Sequence, residues 1–180
     1  MAVPHFALTA VGADRPGIVA AVTGALVDSG CNLEDSSMTI LRGQFAIMLI
    51  VAGPEGLDAA TLERALSGPA AELDLVVHVR PVSDDVPAPP EGEPWSVAVY
   101  GADRPGIVHR FTSLLAGEGV NVVDLTTRVI GEPSHPVYAM ILEVALPPGV
   151  DGAELTGRLM ALARELGVEC SAHPSEADIL

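Results

Sequence analysis

The octapeptide GADRPGIV occurs twice, at Gly12 to Val19 and at Gly101 to Val108. Each copy follows a short apolar run and opens a stretch with apolar residues at helical spacing. The likeness extends well beyond the octapeptide. At an offset of 89, Phe6, Leu8 and Ala10 match Trp95, Val97 and Val99. The same offset pairs Thr23, Leu26, Gly30, Asn32 and Asp35 with Thr112, Leu115, Gly119, Asn121 and Asp124. After a longer second hairpin the offset becomes 93, and Phe45, Pro54, Asp58, Leu62, Leu66 and Pro81 match Tyr138, Pro147, Asp151, Leu155, Leu159 and Pro174. The chain is a tandem duplication of one small domain, so fold and function are both to be sought in what the copies share.

Each half is near the lower end of independently stable sizes, so packing of the halves or dimerisation would help bury apolar surface. Hydrophobic residues make up 49% of the chain and aromatics only 3%, which predicts aliphatic cores. All nine basic residues are arginine, against 24 acids, for a net charge of −15. Direct nucleic-acid binding is disfavoured, because it depends on neutralising phosphates. The acids are spread along the chain and read as a solubility feature. Cys31 and Cys170 align with Val120 and Val77, so neither belongs to a duplicated site, and a reducing compartment is expected. The start lacks a basic stretch followed by an apolar one, and Phe45 to Ala52 is too short to span a bilayer. A soluble cytoplasmic protein without a membrane partner is the expectation.

Val3 to Val11 reads as a strand ended by Gly12. Pro16 suits the first position of a helix that carries Ile18, Val19, Val22, Ala25 and Leu26 and stops at Ser29-Gly30. Leu33 to Leu41 and Gln44 to Val51 read as strands joined at Arg42-Gly43. Asp58 opens a second helix with Leu62, Ala65 and Leu66 on one face, and Leu73 to Val79 alternates as a last strand. The second half repeats the order as Trp95 to Tyr100, Pro105 to Glu118, Val122 to Ile130, Val137 to Val144, Asp151 to Leu166 and Val168 to Ala172. The prediction is an α+β protein of two ferredoxin-like βαββαβ domains, with antiparallel sheets and both helices on one face. The expected boundaries are domains at 1–82 and 95–174, a proline- and acid-rich linker at 83–94 and a tail at 175–180.

The repeated strand-to-helix turn is the first candidate site. Unpaired N–H groups at a helix start attract carboxylates, which implicates Gly12, Asp14, Arg15, Pro16, Gly17, Ile18 and Val19. Gly101, Asp103, Arg104, Pro105, Gly106, Ile107 and Val108 are their counterparts. Asp14 can cap the helix or accept from an amino group, and Arg15 can hold a carboxylate or pair across an interface. A well-capped turn kept for structure alone explains the Asp and Pro easily and the arginines poorly. Asn32 with Leu33, and Asn121 with Val122, form the second candidate. Asparagine suits a turn and an amino-acid zwitterion equally well. Asp35 and Asp124 read as solvated strand ends.

The remaining polar residues offer less. The five histidines do not match one another across the repeat, and no metal-ligand spacing occurs, so neither metal nor cofactor is expected. Ser36, Ser37, Thr126 and Thr127 suit sheet pairing, and Met38, Met48 and Met140 suit the core. Base-stacking aromatics are confined to Phe45 and Tyr138 in the matching strands, which argues against an RNA-recognition domain. A small acylphosphatase-like hydrolase using Arg15 or Arg104 on an anion remains an alternative.

The DRPGIV turn, followed by Asn-Leu-Glu-Asp at Asn32 to Asp35 and Asn-Val-Val-Asp at Asn121 to Asp124, resembles the ACT domain. Two tandem copies with little else resemble the glycine cleavage system transcriptional repressor family, and Asp124 to Thr127 with Pro133 to Met140 is similar to its longer second hairpin. The resemblance implies a non-catalytic sensor of a small amino acid, with glycine or serine the first choices. It implies a ligand gripped by the turn of one domain and the strand edge of a neighbour. It also implies action through a DNA-binding transcription factor instead of on DNA. A homodimer is expected because each sheet has one face that its own helices leave uncovered and edge strands such as Leu33 to Leu41 can pair with a neighbour, although the halves could instead satisfy each other within one chain. An adaptor whose ACT domains only dimerise is the alternative reading.

Overall fold

The protein is described by a computed structural model covering residues 3–83, 92–131 and 136–175. The chain divides into two compact units, Met1–Val86 and Pro87–Leu180. Most of the expected linker and tail, and part of the second hairpin, lie outside the described residues.

In the first unit the order is β1 (His5–Ala13), α1 (Ile18–Asp28), β2 (Asn32–Leu41), β3 (Gln44–Ala52), α2 (Ala59–Leu73) and β4 (Leu75–Val82). The second unit repeats it as β5 (Glu93–Gly101), α3 (Ile107–Gly117), β6 (Asn121–Ile130), β7 (Val137–Leu146), α4 (Gly152–Leu166) and β8 (Val168–Pro174). The sheet orders are β2-β3-β1-β4 and β6-β7-β5-β8, with every pairing antiparallel. These are two ferredoxin-like sheets. Phe6, Leu8 and Ala10 of β1 and Phe45, Leu49 and Val51 of β3 form one core with Ile18, Val22 and Leu26 of α1 and Leu62, Leu66 and Ala70 of α2. Trp95, Val97, Val99, Tyr138, Leu142, Phe111, Leu115, Leu155 and Leu159 form its counterpart.

The helix boundaries have local causes. Gly30 and Gly119 take φ of 71° and 72°, and the amides of Cys31 and Val120 reach back to Leu26 and Leu115 at 2.9 Å. That six-to-one bond is the Schellman ending, for which a residue without Cβ is favoured. Asp58 caps α2 by accepting from the Thr61 amide, and Asp151 caps α4 by accepting from Ala153 and Glu154. The Arg42-Gly43 turn has φ of 50° and 77°, the double-positive geometry of a two-residue hairpin.

Some expectations are corrected. The first strand runs through Gly12 to Ala13, and β5 begins at Glu93, inside the expected linker. Leu73 ends α2 instead of starting a strand, because Asp74 takes a left-handed φ of 54° between them. Ala65 faces solvent, and Ala70 takes the buried place one turn on. Of the three methionines expected in the core, Met140 is fully buried. Met38 and Met48 are about half exposed, since β2 is an edge strand and Met48 lies on the sheet face away from the helices.

Candidate functional site

The two turns have nearly the same backbone. Gly17 has φ 97° and ψ −10°, and Gly106 has φ 94° and ψ −4°. These values match the third position of a type II turn, with Pro16 and Pro105 at the second. Gly17 and Gly106, not the prolines, therefore stand just outside helices that start at Ile18 and Ile107. Neither Asp14 nor Asp103 caps its helix; both helix starts lack a side-chain acceptor. Asp14 instead anchors the turn through its own amide, which donates to the Gly43 carbonyl at 2.8 Å.

The repeated octapeptide serves several ends. Gly12 and Gly101 are packing residues: an added Cβ would lie 2.7 Å from the Asp74 carbonyl oxygen in one unit and 2.7 Å from Val168 Cγ1 in the other. Ile18 and Ile107 are core residues. Asp14, Arg15, Pro16, Gly17 and Val19 are exposed, as are Asp103, Arg104, Pro105 and Gly106, while Val108 packs partly against the core. Nothing lies within 4 Å of a Cβ built on Gly17 or Gly106, so the turn tips are open.

Asn32 and Asn121 are exposed first residues of β2 and β6. Each begins a segment that holds a bulge: the register slips between Leu33 and Asp35, and again between Val122 and Asp124. The extra residues are Glu34 and Val123. His5 Nε2 lies 3.2 Å from Glu34 Oε2, tying the first bulge to β1. The Asp35 carboxylate accepts from the Ser36 amide at 2.8 Å.

The structure does not bring Asn32 to its own turn. Asn32 and His5 both pair with Ala52, whereas Leu41 and Ala13 both pair with Gln44. The asparagine is thus at the start of β1 and the turn at its end. Nine residues of strand separate them, roughly 26 Å at the rise of a β-strand. The second unit has the same arrangement, with Asn121 and Pro94 opposite Ala145 and Tyr138 opposite Gly101.

Three features near the turns have no counterpart in a simple sequence reading. Arg104 Nη1 donates to the Leu166 carbonyl at 3.2 Å, at the end of α4. Burial pushes the Tyr138 hydroxyl up from its ordinary range; a hydrogen bond with Thr127 opposes this, and the Asp103 charge adds to it. A shallow depression of about 420 Å³ adjoins the second turn, lined by Tyr100, Gly101, Val137, Gly167, Val168 and Glu169. The alignment of Phe45 with Tyr138 carried the only signal for the hydroxyl. Among the described residues no cluster of histidine, cysteine and carboxylate has metal-binding geometry, and no helix is long and apolar enough to cross a membrane.

Comparison with known proteins agrees with the duplicated architecture. Residues 5–80 and residues 95–155 each match an ACT-domain family model. The chain is 32% identical over 172 residues to the glycine cleavage system transcriptional repressor of Escherichia coli (strain K12), covering 93% of this chain and 88% of that protein. A crystal structure of an unknown protein from Galdieria sulphuraria superposes with a TM-score of 0.81 at 28% identity, over 97% of this chain and 100% of that one. A crystal structure provisionally named a glycine cleavage system transcriptional repressor superposes with a TM-score of 0.70 at 22% identity, over 96% and 98% of the two chains, and so shares the fold. Two ACT domains in tandem, with a relative 32% identical over 93% of the chain, place this chain in the glycine cleavage system transcriptional repressor family.

Proposed function

We propose that the protein is a non-catalytic cytoplasmic sensor of a small amino acid, glycine or serine first, which reports ligand through protein contacts. The observation that carries this reading is the pair of uncapped helix starts behind Asp-Arg-Pro-Gly turns. Unpaired amides at a helix start, reinforced by the helix dipole, suit a carboxylate. A nearby asparagine would add a donor and an acceptor for the other end of a zwitterion. Because Asn32 lies a strand's length from its own turn, a site using both elements would take the asparagine from another ACT domain. We read that domain as one of a second chain, making a homodimer with Arg15 bracing the carboxylate.

The family relationship supports a place in transcriptional control of the glycine cleavage system. The net charge of −15 favours action through a DNA-binding protein over direct contact with DNA. A thermal-shift screen over the twenty amino acids tests the sensor reading. Ligand at about 100 times its dissociation constant adds roughly 2.7 kcal/mol and should raise the melting temperature measurably. The adaptor reading rests on the exposed apolar residues of edge strand β2, Leu33, Met38, Ile40 and Leu41. It predicts a dimer whose melting temperature no amino acid moves.

A further inference from the structure

The two turns share a backbone but not the fate of their arginines. The Arg104 guanidinium sits at the end of α4, with Nη1 3.2 Å from the Leu166 oxygen. It occupies the space beside Gly167: a Cβ built there would lie 3.4 Å from Nη1 and 3.8 Å from both Cζ and Nη2. Gly167 has φ 67° and ψ 37°, and a Cβ there would meet the guanidinium only at van der Waals contact. A helix C-terminus offers unpaired carbonyls and the negative end of the dipole, so a cation is well placed there.

The equivalent residue in the first unit is Asp74, which ends α2 in the same left-handed conformation, with φ 54° and ψ 49°. Arg15, the counterpart of Arg104, is exposed and makes no hydrogen bond or ion pair among the described residues. The hydroxyl of Tyr138, placed where the Asp103 charge acts on it, is replaced in the first unit by the bare ring of Phe45.

We infer that the duplicated turns have divided their work: Arg104 is a positioning residue that seats the end of α4, and Arg15 is the arm left to meet the ligand. The ligand half of this assignment rests on the amino-acid-sensor reading; the seating half does not.

Two variants of the full chain test it, each followed by melting temperature and by calorimetry with glycine and with serine. Arg104→Ala should lower the melting temperature while leaving ligand affinity within about twofold. Arg15→Ala should leave the melting temperature in place and weaken binding about tenfold or more, the loss expected for a bond to a charged group. Equal loss of affinity in Arg15→Ala and Arg104→Ala, or an Arg104→Ala protein that melts like wild type, overturns the division. If wild type binds neither amino acid, the sensor reading fails, and the melting temperatures alone still decide whether Arg104 is seated and Arg15 is not.

Discussion

The indole of Trp95 lies directly over Gly152: a Cβ built on that glycine would stand 2.1 Å from Cζ2 and 2.4 Å from Cη2. In the first unit the matching residues are Phe6 and Ala59, a smaller ring and a larger helix residue in the same core cluster. The duplicated cores have thus exchanged volume between two facing positions, as close packing demands. The exchange has a polar cost, because the buried Nε1 of Trp95 has no hydrogen-bond partner.

Gly152→Ala should therefore destabilise the second unit by about 1–3 kcal/mol, the usual result of overpacking. Adding Trp95→Phe should recover most of the loss, since it shortens the ring and removes the orphan N–H. Denaturant unfolding of the two single variants and the double variant measures the coupling. Additive effects would mean that the two residues do not share the same space.

Gly17 and Gly24 make a matched pair within one short segment. Neither has an atom within 4 Å of a built Cβ, but Gly17 has φ 97° while Gly24 lies inside α1. Gly17→Ala should cost about 1–2 kcal/mol through backbone strain. Gly24→Ala should stabilise by up to about 1 kcal/mol through helix propensity. Chemical denaturation of both variants should move the midpoint in opposite directions; a shift of the same sign would contradict the turn geometry.

Much of the fold was legible because the repeat supplied two readings of each element. The Schellman glycines, the caps at Asp58 and Asp151 and the core positions Leu62, Leu66, Leu155 and Leu159 all follow from pattern. The α2–β4 boundary did not, because Leu73 continues the alternation of Leu75 and Val77 and no glycine marks the left-handed residue at Asp74. Pro16 reads as a helix start, yet the turn needs positive φ at the next residue, which moves the start to Ile18. The candidate site was less legible. Val19 and Asn32 are close in sequence, but α1 carries the chain back along the sheet and leaves them at opposite ends. The Arg104–Leu166 bond joins residues 62 apart, so no local pattern announces it.

Burial pushes the Cys170 thiol up to about 11. The sign of the linkage follows: the folded state favours the neutral thiol, so its contribution to stability is complete below the ordinary value of 9.0 and is lost as the pH rises to about 11. Cys170→Ser should flatten the stability profile across that window. Unfolding midpoints from pH 8 to 11 measure it, and parallel wild-type and variant curves would contradict the burial argument.

We propose that these tandem ACT domains bind a small amino acid. Isothermal titration calorimetry of the full chain with glycine, and in parallel with serine, is the decisive experiment, with Asn32→Ala and Asn121→Ala alongside. Wild type should bind at least one of the two saturably. Whichever asparagine variant loses a bond to a charged end of the ligand should bind about 1.5–3 kcal/mol more weakly. No heat of binding to wild type at millimolar ligand, or two asparagine variants that bind like wild type, would contradict the sensor site.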